Sequence, residues 1–237
     1  FSIIIPCFNA GATLGKTLKS VAEQRFSDWE LIVVDGGSTD GSAEIVDSYK
    51  SRISHYICEK DRGVYDAINK GLEHATGEWI YVLGADDQLA DDKVLEKIAA
   101  LPIKGETLII GDVEYLNRTS EKVKPIHHSS FGAQLRWRNT VHHQGCFYHR
   151  SVFDEFRYDI ACRVLGDYDL NIRLWKQGAT ALSANLLVAR CEAQGLSKAF
   201  NRRLYSEELR IKQRYFSPAA VLVQYLWLTI KYLWKNS

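Results

Sequence analysis

An α/β fold with a mostly parallel central sheet flanked by helices is predicted by three features of the chain. Short apolar runs of strand length alternate with segments of helical period through residues 1–112. Alternation of that kind implies right-handed crossovers between parallel strands. The runs also end in turns rich in Gly, Asn and Asp, and ligands of such sheets sit beyond the carboxyl ends of the strands.

Ser2–Ile5 is an apolar run cut by Pro6 and reads as a buried strand. Leu14, Leu18 and Val21 then recur on one helical face. Leu31–Val34 is a second β-rich run, closed by Asp35 and the turn Gly36-Gly37-Ser38, after which Ser42 can cap a helix reaching Ser48. Ile53–Cys58 is a third strand. Tyr65–Ala75 is helical, with Ala67, Ile68 and Leu72 on one stripe and Gly77 as its stop. Trp79–Leu83 is a fourth strand that runs into Gly84-Ala85-Asp86-Asp87; Asp91–Ala100 is a helix and Thr107–Ile110 a fifth strand. These strand ends set Asn9, Asp35, Glu59–Arg62 and Asp86-Asp87 along one rim. The second half is less regular. Asn117–Ser130 reads as a polar loop, Gly145–His149 as a short strand, Asp167–Lys176 as a helix and Ala181–Ala189 as a strand. Two helices, Ala199–Tyr215 and Ala219–Trp234, close the chain.

Length and composition fit one large domain or a domain with an appendage: 237 residues, 46% hydrophobic, 11% aromatic and 25% charged. That profile excludes a disordered, collagenous or coiled-coil chain. Five cysteines, an odd number without CxxC spacing, argue against a disulfide scaffold or a zinc knuckle and for a reducing compartment. No signal-peptide pattern is read, and a missing initiator Met is expected to lie outside the sequence. The net charge of +1 points to no polyanion, and no nucleic-acid partner is expected. Its distribution is uneven: residues 198–237 hold eight Lys/Arg and two Glu, a net of +6 that leaves −5 on the rest. Val223, Leu226, Ile230 and Leu233 form a stripe on the last helix, and Tyr225/Tyr232 and Trp227/Trp234 repeat at seven-residue spacing. Such a helix is too short to span a bilayer but suits a membrane interface, with docking on the domain or in a homodimer as the alternatives.

Adjacent carboxylates at Asp86-Asp87, directly after a buried strand, suit a hard divalent cation that also holds phosphates; a turn capping the next helix uses Asp as readily. The segment Asp35-Gly36-Gly37-Ser38-Thr39-Asp40-Gly41 lacks both GxGxxG and GK[ST], which disfavours a dinucleotide site and a P-loop. Asp35 could accept from a base N–H or a ribose hydroxyl.

Four segments, IIIPCFNAGATLGKTLKSVAEQ, WELIVVDGGSTDGS, EKDRGVYDAINKGLEHATGEWIYVLGADD and LGDYDLNIRLWKQG, resemble in this order the successive motifs of family-two inverting glycosyltransferases, bacterial polysaccharide-biosynthesis members in particular. The resemblance covers roughly Phe1 to Ser197. It implies a GT-A fold in which a nucleotide-binding half (1–112) joins an acceptor-binding half (113–197), with 198–237 as a helical extension. Residue by residue, it implies that Pro6, Asn9, Asp35, Asp61 and Arg62 line the nucleotide pocket, with Asp86 towards the ribose. It places Asp87 on a Mn2+ or Mg2+ ion. Asp167, in GDYD, matches the catalytic base, although Gly166 stands where the family usually has an acidic residue. Asp169, two residues along the helix, faces elsewhere. His143 and Gln144 resemble an HQ segment at the diphosphate or acceptor, and Gly195 and Ser197 a GGxS segment closing over the donor, with Lys198 near a phosphate.

The implied reaction moves a sugar, most often from a UDP-sugar, to a hydroxyl of a saccharide acceptor. The basic aromatic tail directs the expectation to a lipid-linked acceptor in bacterial surface polysaccharide synthesis, on a cytoplasmic protein held peripherally at the inner face of the membrane through 219–235. An inactive nucleotide-sugar-binding scaffold and a sugar nucleotidyltransferase are the alternatives.

Overall fold

Both faces of β1 (Ser2–Cys7) and β2 (Glu30–Asp35) are buried, as continuous apolar runs require. These strands pair in parallel from Ser2↔Glu30 to Cys7↔Asp35. The computed structural model describes residues 1–116, 126–192 and 202–236. Six further strands complete the sheet: β3 (His55–Cys58), β4 (Trp79–Val82), β5 (Gln88–Leu89), β6 (Leu108–Leu116), β7 (Cys146–His149) and β8 (Ala181–Glu192). Their order is β3-β2-β1-β4-β7-β6-β8-β5.

The chain builds outward from β1 through β2 to β3, then returns to place β4 on the other side of β1. Such a reversal opens a crevice at the carboxyl ends of the central strands. Pairing of β1 with β4 covers only Ser2–Ile4, while pairing with β2 continues to Cys7. Pro6 stands beyond the point where β4 has diverged, so its missing N–H removes no bond to β4.

Alternate residues feed two cores. Ile3, Ile5, Leu31 and Val33 pack with Leu14 and Leu18 of α1 (Leu14–Ala22), Val46 of α2 (Ser42–Ser48) and Leu95 of α4 (Val94–Ala99). Ile4, Ile32 and Val34 pack with Ile68 of α3 (Val64–Leu72) and, through the wider cluster, with Tyr168 and Ile172 of α6 (Gly166–Lys176). The remaining helices are α5 (Val152–Glu155), α7 (Arg202–Tyr215) and α8 (Pro218–Asn236).

Parallel pairs outnumber antiparallel ones, as expected, in a sheet that is mixed rather than purely parallel. Four strand pairs are parallel, but β4–β7, β6–β7 and β5–β8 are antiparallel. Four residues of β7 inserted between β4 and β6 carry no periodicity from which direction could be read. The two-residue β5 escapes sequence patterning altogether, yet it ties the segment after Asp87 to β8 through Gln88↔Arg190 and Leu89↔Ala189. Helix α4 starts three residues later than expected because Asp91 Oδ1 accepts from Lys93 N at 2.8 Å in a turn. Of the expected loop Asn117–Ser130, residues 117–125 lie outside the described residues; His127 bridges to Val113. None of the five cysteines is in a disulfide.

Helix α7 is docked: its Ile211 joins the second core. Helix α8 buries Val221 and Gln224 and leaves Leu222, Val223, Tyr225 and Leu226 exposed. The side chains of Ile230, Leu233, Trp227, Tyr232 and Trp234 lie outside the described residues. Among the described residues no helix is long and apolar enough to cross a membrane.

Candidate active site

The loops after β1 and β2 are laced together. Asn9, in the left-handed conformation at φ 50° that Asn tolerates, donates its N–H to Ser38 Oγ (2.8 Å) and accepts from Thr39 N at Oδ1 (2.9 Å). Gly11 N donates to Asp40 Oδ2 at 2.8 Å. Asp35 is fully buried: its Oδ1 accepts from Gly37 N, Ser38 N and Ser38 Oγ at 3.1, 2.8 and 2.7 Å. Tyr56 OH donates to its Oδ2 at 3.2 Å, leaving that oxygen the less committed of the two. Asp61 Oδ2 lies against Gly36, where the exposed Phe8 ring also approaches, and Asp61 Oδ1 accepts from Gly63 N at 2.8 Å. Arg62 pairs with Asp66 at 2.9 Å and keeps an exposed side chain. Pro6, Asn9, Asp35, Asp61 and Arg62 thus share one rim.

Asp86 and Asp87 form a second group. Asp86 is exposed and Asp87 is 3% exposed. Gly84 makes their approach feasible: a Cβ there would stand 2.6 Å from Asp87 Oδ2 and 3.1 Å from Asp86 Oδ1. Asp87 Oδ1 accepts from Glu192 N at 3.0 Å, and Oδ2 accepts from Gln144 Nε2. Burial, and then the charge of Asp86, push the Asp87 carboxyl up to about 7. Gln144 Oε1 is buried and has no hydrogen-bond partner among the described residues.

Asp167, at the second position of α6, is the third group. It is 6% exposed. Asn139 Nδ2 donates to its Oδ2 at 2.9 Å, and Tyr65 OH lies 3.3 Å from its Oδ1. The Tyr65 hydroxyl already donates to Val164 O at 2.7 Å, and one hydroxyl has one proton to give. Oδ1 is therefore the oxygen of Asp167 with spare acceptor capacity. Gly166 is explained by the same ring: a Cβ there would meet Tyr65 ring atoms at 2.8 Å. The acidic residue usual at this place has no room beside Tyr65.

His143 bridges the second and third groups. Its Nδ1 is 3.9 Å from Asp167 Oδ2, and the next residue, Gln144, holds Asp87. Its side chain keeps 39% exposure. Desolvation there outweighs the pull of Asp167 and Asp86 and lowers its pKa, so the ring is neutral near pH 7. Asp169, by contrast, is 1% exposed and bound to Arg173 Nε (3.1 Å) and Tyr215 OH (2.9 Å). Asp35 and Asp61 share no hydrogen bond with Asp87 or Asp167 among the described residues. Gly195, Ser197 and Lys198 lie outside the described residues. Tyr65, Asn139, Tyr56 and the Glu192 N–H went unread in the sequence, since each meets its carboxylate across a tertiary contact that no local pattern encodes.

Comparison with known proteins agrees with this architecture. The family model for glycosyl transferase family 2 matches residues 2–160. A PGL/p-HBAD biosynthesis glycosyltransferase of Mycobacterium tuberculosis is 37% identical over 186 residues, 76% of this chain and 71% of the relative. An Escherichia coli UDP-Glc:alpha-D-GlcNAc-diphosphoundecaprenol beta-1,3-glucosyltransferase is 31% identical over 120 residues, 50% of this chain and 47% of its own. Among solved structures, S. aureus TarS with UDP-GlcNAc superposes with TM-score 0.71 at 17% identity, over 89% of this chain and 65% of that one. A mannosyltransferase from Pyrobaculum calidifontis with GDP-Man and Mn2+ gives TM-score 0.61 at 18% identity, over 98% and 70%. The structures share the GT-A fold with this chain, and on the family match and the mycobacterial similarity together the chain belongs to family 2 of the glycosyltransferases.

Proposed function

We propose that this glycosyltransferase inverts the sugar it transfers, from a UDP-sugar to a hydroxyl of a lipid-linked saccharide, in bacterial surface polysaccharide synthesis. The observation that carries the reading is Asp167: a buried carboxylate with one oxygen held by Asn139 and the other available. A base placed so takes the acceptor hydroxyl proton on Oδ1 while the acceptor oxygen bonds the anomeric carbon. The bond to the departing diphosphate breaks on the opposite face, so a single displacement inverts the centre. General-base assistance of this kind is worth typically ~10²–10⁴-fold. Neutral His143 beside Asp167 adds no competing positive charge.

The loops after β1, β2 and β3 form the donor rim. The resemblance implies base reading by Asp35, and its Oδ2 supports that role, with Tyr56 OH the partner a base would replace. Pro6, Asn9, Asp61 and Arg62 shape the surrounding loops, with Asp86 at the ribose.

A divalent cation fits the second group. Two converging carboxylates, one of them raised to about 7, and the unpartnered Gln144 Oε1 make an oxygen-rich, electronegative pocket. Among the described residues no three metal-ligating side chains cluster, so substrate oxygens would complete the shell, as hard Mg2+ and Mn2+ sites allow. Asp87, with Asp86 and Gln144 beside it, would hold the ion. When bound, the ion neutralises charge growing on the diphosphate.

Relatives and neighbours support the finer choices. The E. coli relative is named for UDP-Glc and an undecaprenol-linked acceptor, and TarS is seen with UDP-GlcNAc, whereas the Pyrobaculum enzyme holds GDP-Man with Mn2+. For acceptor delivery, α8 offers exposed Leu222, Val223, Tyr225 and Leu226 to the inner membrane face. Calorimetric titration with UDP, GDP and dTDP, with and without Mn2+, tests the donor site. Tight binding of UDP alone, strengthened by Mn2+, is expected; no binding of any nucleotide would overturn the reading.

A further inference from the structure

The family resemblance ends before α7, yet α7 aims a buried carboxylate into the segment that leads to Asp167. Glu207 is 4% exposed. Its Oε1 accepts from Arg163 N, Val164 N and Leu165 N at 3.1, 3.0 and 2.7 Å, and its Oε2 from Arg163 N at 3.1 Å. Consecutive N–H groups converging on one anion form a nest, and these lie at the positive end of α6. Leu165 immediately precedes α6, and Asp167 is the second residue of that helix.

Two more ties run from the same region. Arg163 Nη1 donates to Arg62 O at 2.7 Å, joining this segment to the donor-side loop. Lys212 of α7, fully buried, pairs with Glu208 at 2.8 Å and donates to Trp137 O at 3.0 Å. Trp137 lies two residues before Asn139, the donor to Asp167 Oδ2. Helix α7 therefore holds both the segment that leads into Asp167 and the segment that bonds its carboxylate.

We infer that Glu207 is a positioning residue for the transfer step, and that the catalytic unit extends through α7. The inference rests on the reading of Asp167 as the base. A carboxylate suits the place because three consecutive N–H donors converge on it, and charge-assisted bonds to them are about twice as strong as neutral ones. A glutamine presents one neutral oxygen to the same donors, and an alanine presents none.

The test uses the full chain with Glu207→Gln and Glu207→Ala, and Asp167→Asn as reference. Amide exchange, the carboxyl carbon resonance of Asp167, UDP affinity by calorimetry, and kcat and KM for UDP release from UDP-glucose are measured. In Glu207→Ala, exchange at 163–169 should rise at least about tenfold while amides of β1, β2 and α3 stay protected. The Asp167 resonance should move, UDP affinity should hold within about twofold, and kcat should fall on the order of 10–100-fold at unchanged KM. Glu207→Gln should lie between; if the alanine variant fails to fold, the glutamine variant alone decides. Unmoved exchange and an unmoved Asp167 resonance would overturn the inference whether or not UDP-glucose is turned over. So would a loosened segment with full kcat. Asp167→Asn should lose turnover without loosening 163–169. If it keeps turnover while the Glu207 variants lose theirs, the base assignment fails and Glu207 positions a different group.

Discussion

At Asp87, stability and function are expected to pull in opposite directions. Burial and the Asp86 charge push its carboxyl up to about 7, whereas an unfolded chain holds it near ~4. An acid raised on folding favours the native state below its unfolded value, and that advantage is lost as pH climbs to the folded one. Each pH unit of difference is worth about 1.4 kcal/mol, so the native state loses up to about 4 kcal/mol between roughly pH 4 and pH 7. Relaxation and water entry reduce that ceiling, and about 2 kcal/mol is the working figure. Asp87→Asn removes the charge and keeps the shape. Its Oδ1 can still accept from Glu192 N, and its new Nδ2, set where Oδ2 met Gln144 Nε2, can donate to Gln144 Oε1 once that amide flips. In EDTA at pH 8 the variant should therefore melt roughly 4–8 °C above the parent, at ~2–4 °C per kcal/mol for a chain of this size. At pH 5, where the native carboxyl already carries its proton, the gap should shrink by more than half. The same variant should lose at least about tenfold in Mn2+-dependent UDP affinity, since a carboxylate ligand is gone. A lower melting temperature at pH 8, or an equal gap at both pH values, would refute the claim that Asp87 is a strained buried charge. Undiminished Mn2+-dependent binding would refute its place at the ion.

Three further outcomes follow from the same geometry. Asp167→Asn should cut transfer by ~10²–10⁴-fold while UDP affinity, read by calorimetry, stays unchanged. Gly166→Ala should cost about 1–3 kcal/mol in thermal melts because its Cβ enters the Tyr65 ring; a double-mutant cycle with Tyr65→Ala should recover much of that cost. Deleting residues 219–237 should abolish sedimentation with anionic vesicles; unchanged partition would remove α8 from the membrane reading, and a changed oligomer would make it a subunit contact.

The first half of the chain was legible because its evidence is local. A strand such as Ile3–Ile5 declares itself in a few residues and a turn such as Asp35–Ser38 in four; α2 runs from Ser42 to Ser48 as its period says, although Gly41 is its N-cap and Ser42, expected to cap it, is its first helical residue with its hydroxyl turned to Asp40. Asp86-Asp87 could be placed at a strand end by the same local argument. What patterning missed depends on partners far along the chain. The direction of β7 follows from its insertion between β4 and β6, which four residues cannot announce. Gln144 was read for the diphosphate or acceptor, yet its amide is bonded to an aspartate 57 residues away.

The choice between Asp167 and Asp169 shows how the two kinds of information combine. Helical spacing says only that residues two apart face different ways. It does not say which of them faces the cleft. The answer lies in what surrounds each carboxylate: Asp169 is consumed by Arg173 of its own helix and by Tyr215 of α7, whose hydroxyl ties α6 to α7. Asp167 is touched by Asn139 and, at longer range, by Tyr65, and neither is a cation. A carboxylate held by a guanidinium and a hydroxyl has little acceptor capacity left for an incoming hydroxyl, whereas Asp167 keeps Oδ1 for one. On that ground α7 serves both residues at once: it sequesters Asp169 as structure, and through Glu207 and Lys212 it braces the segments that leave Asp167 open to an acceptor.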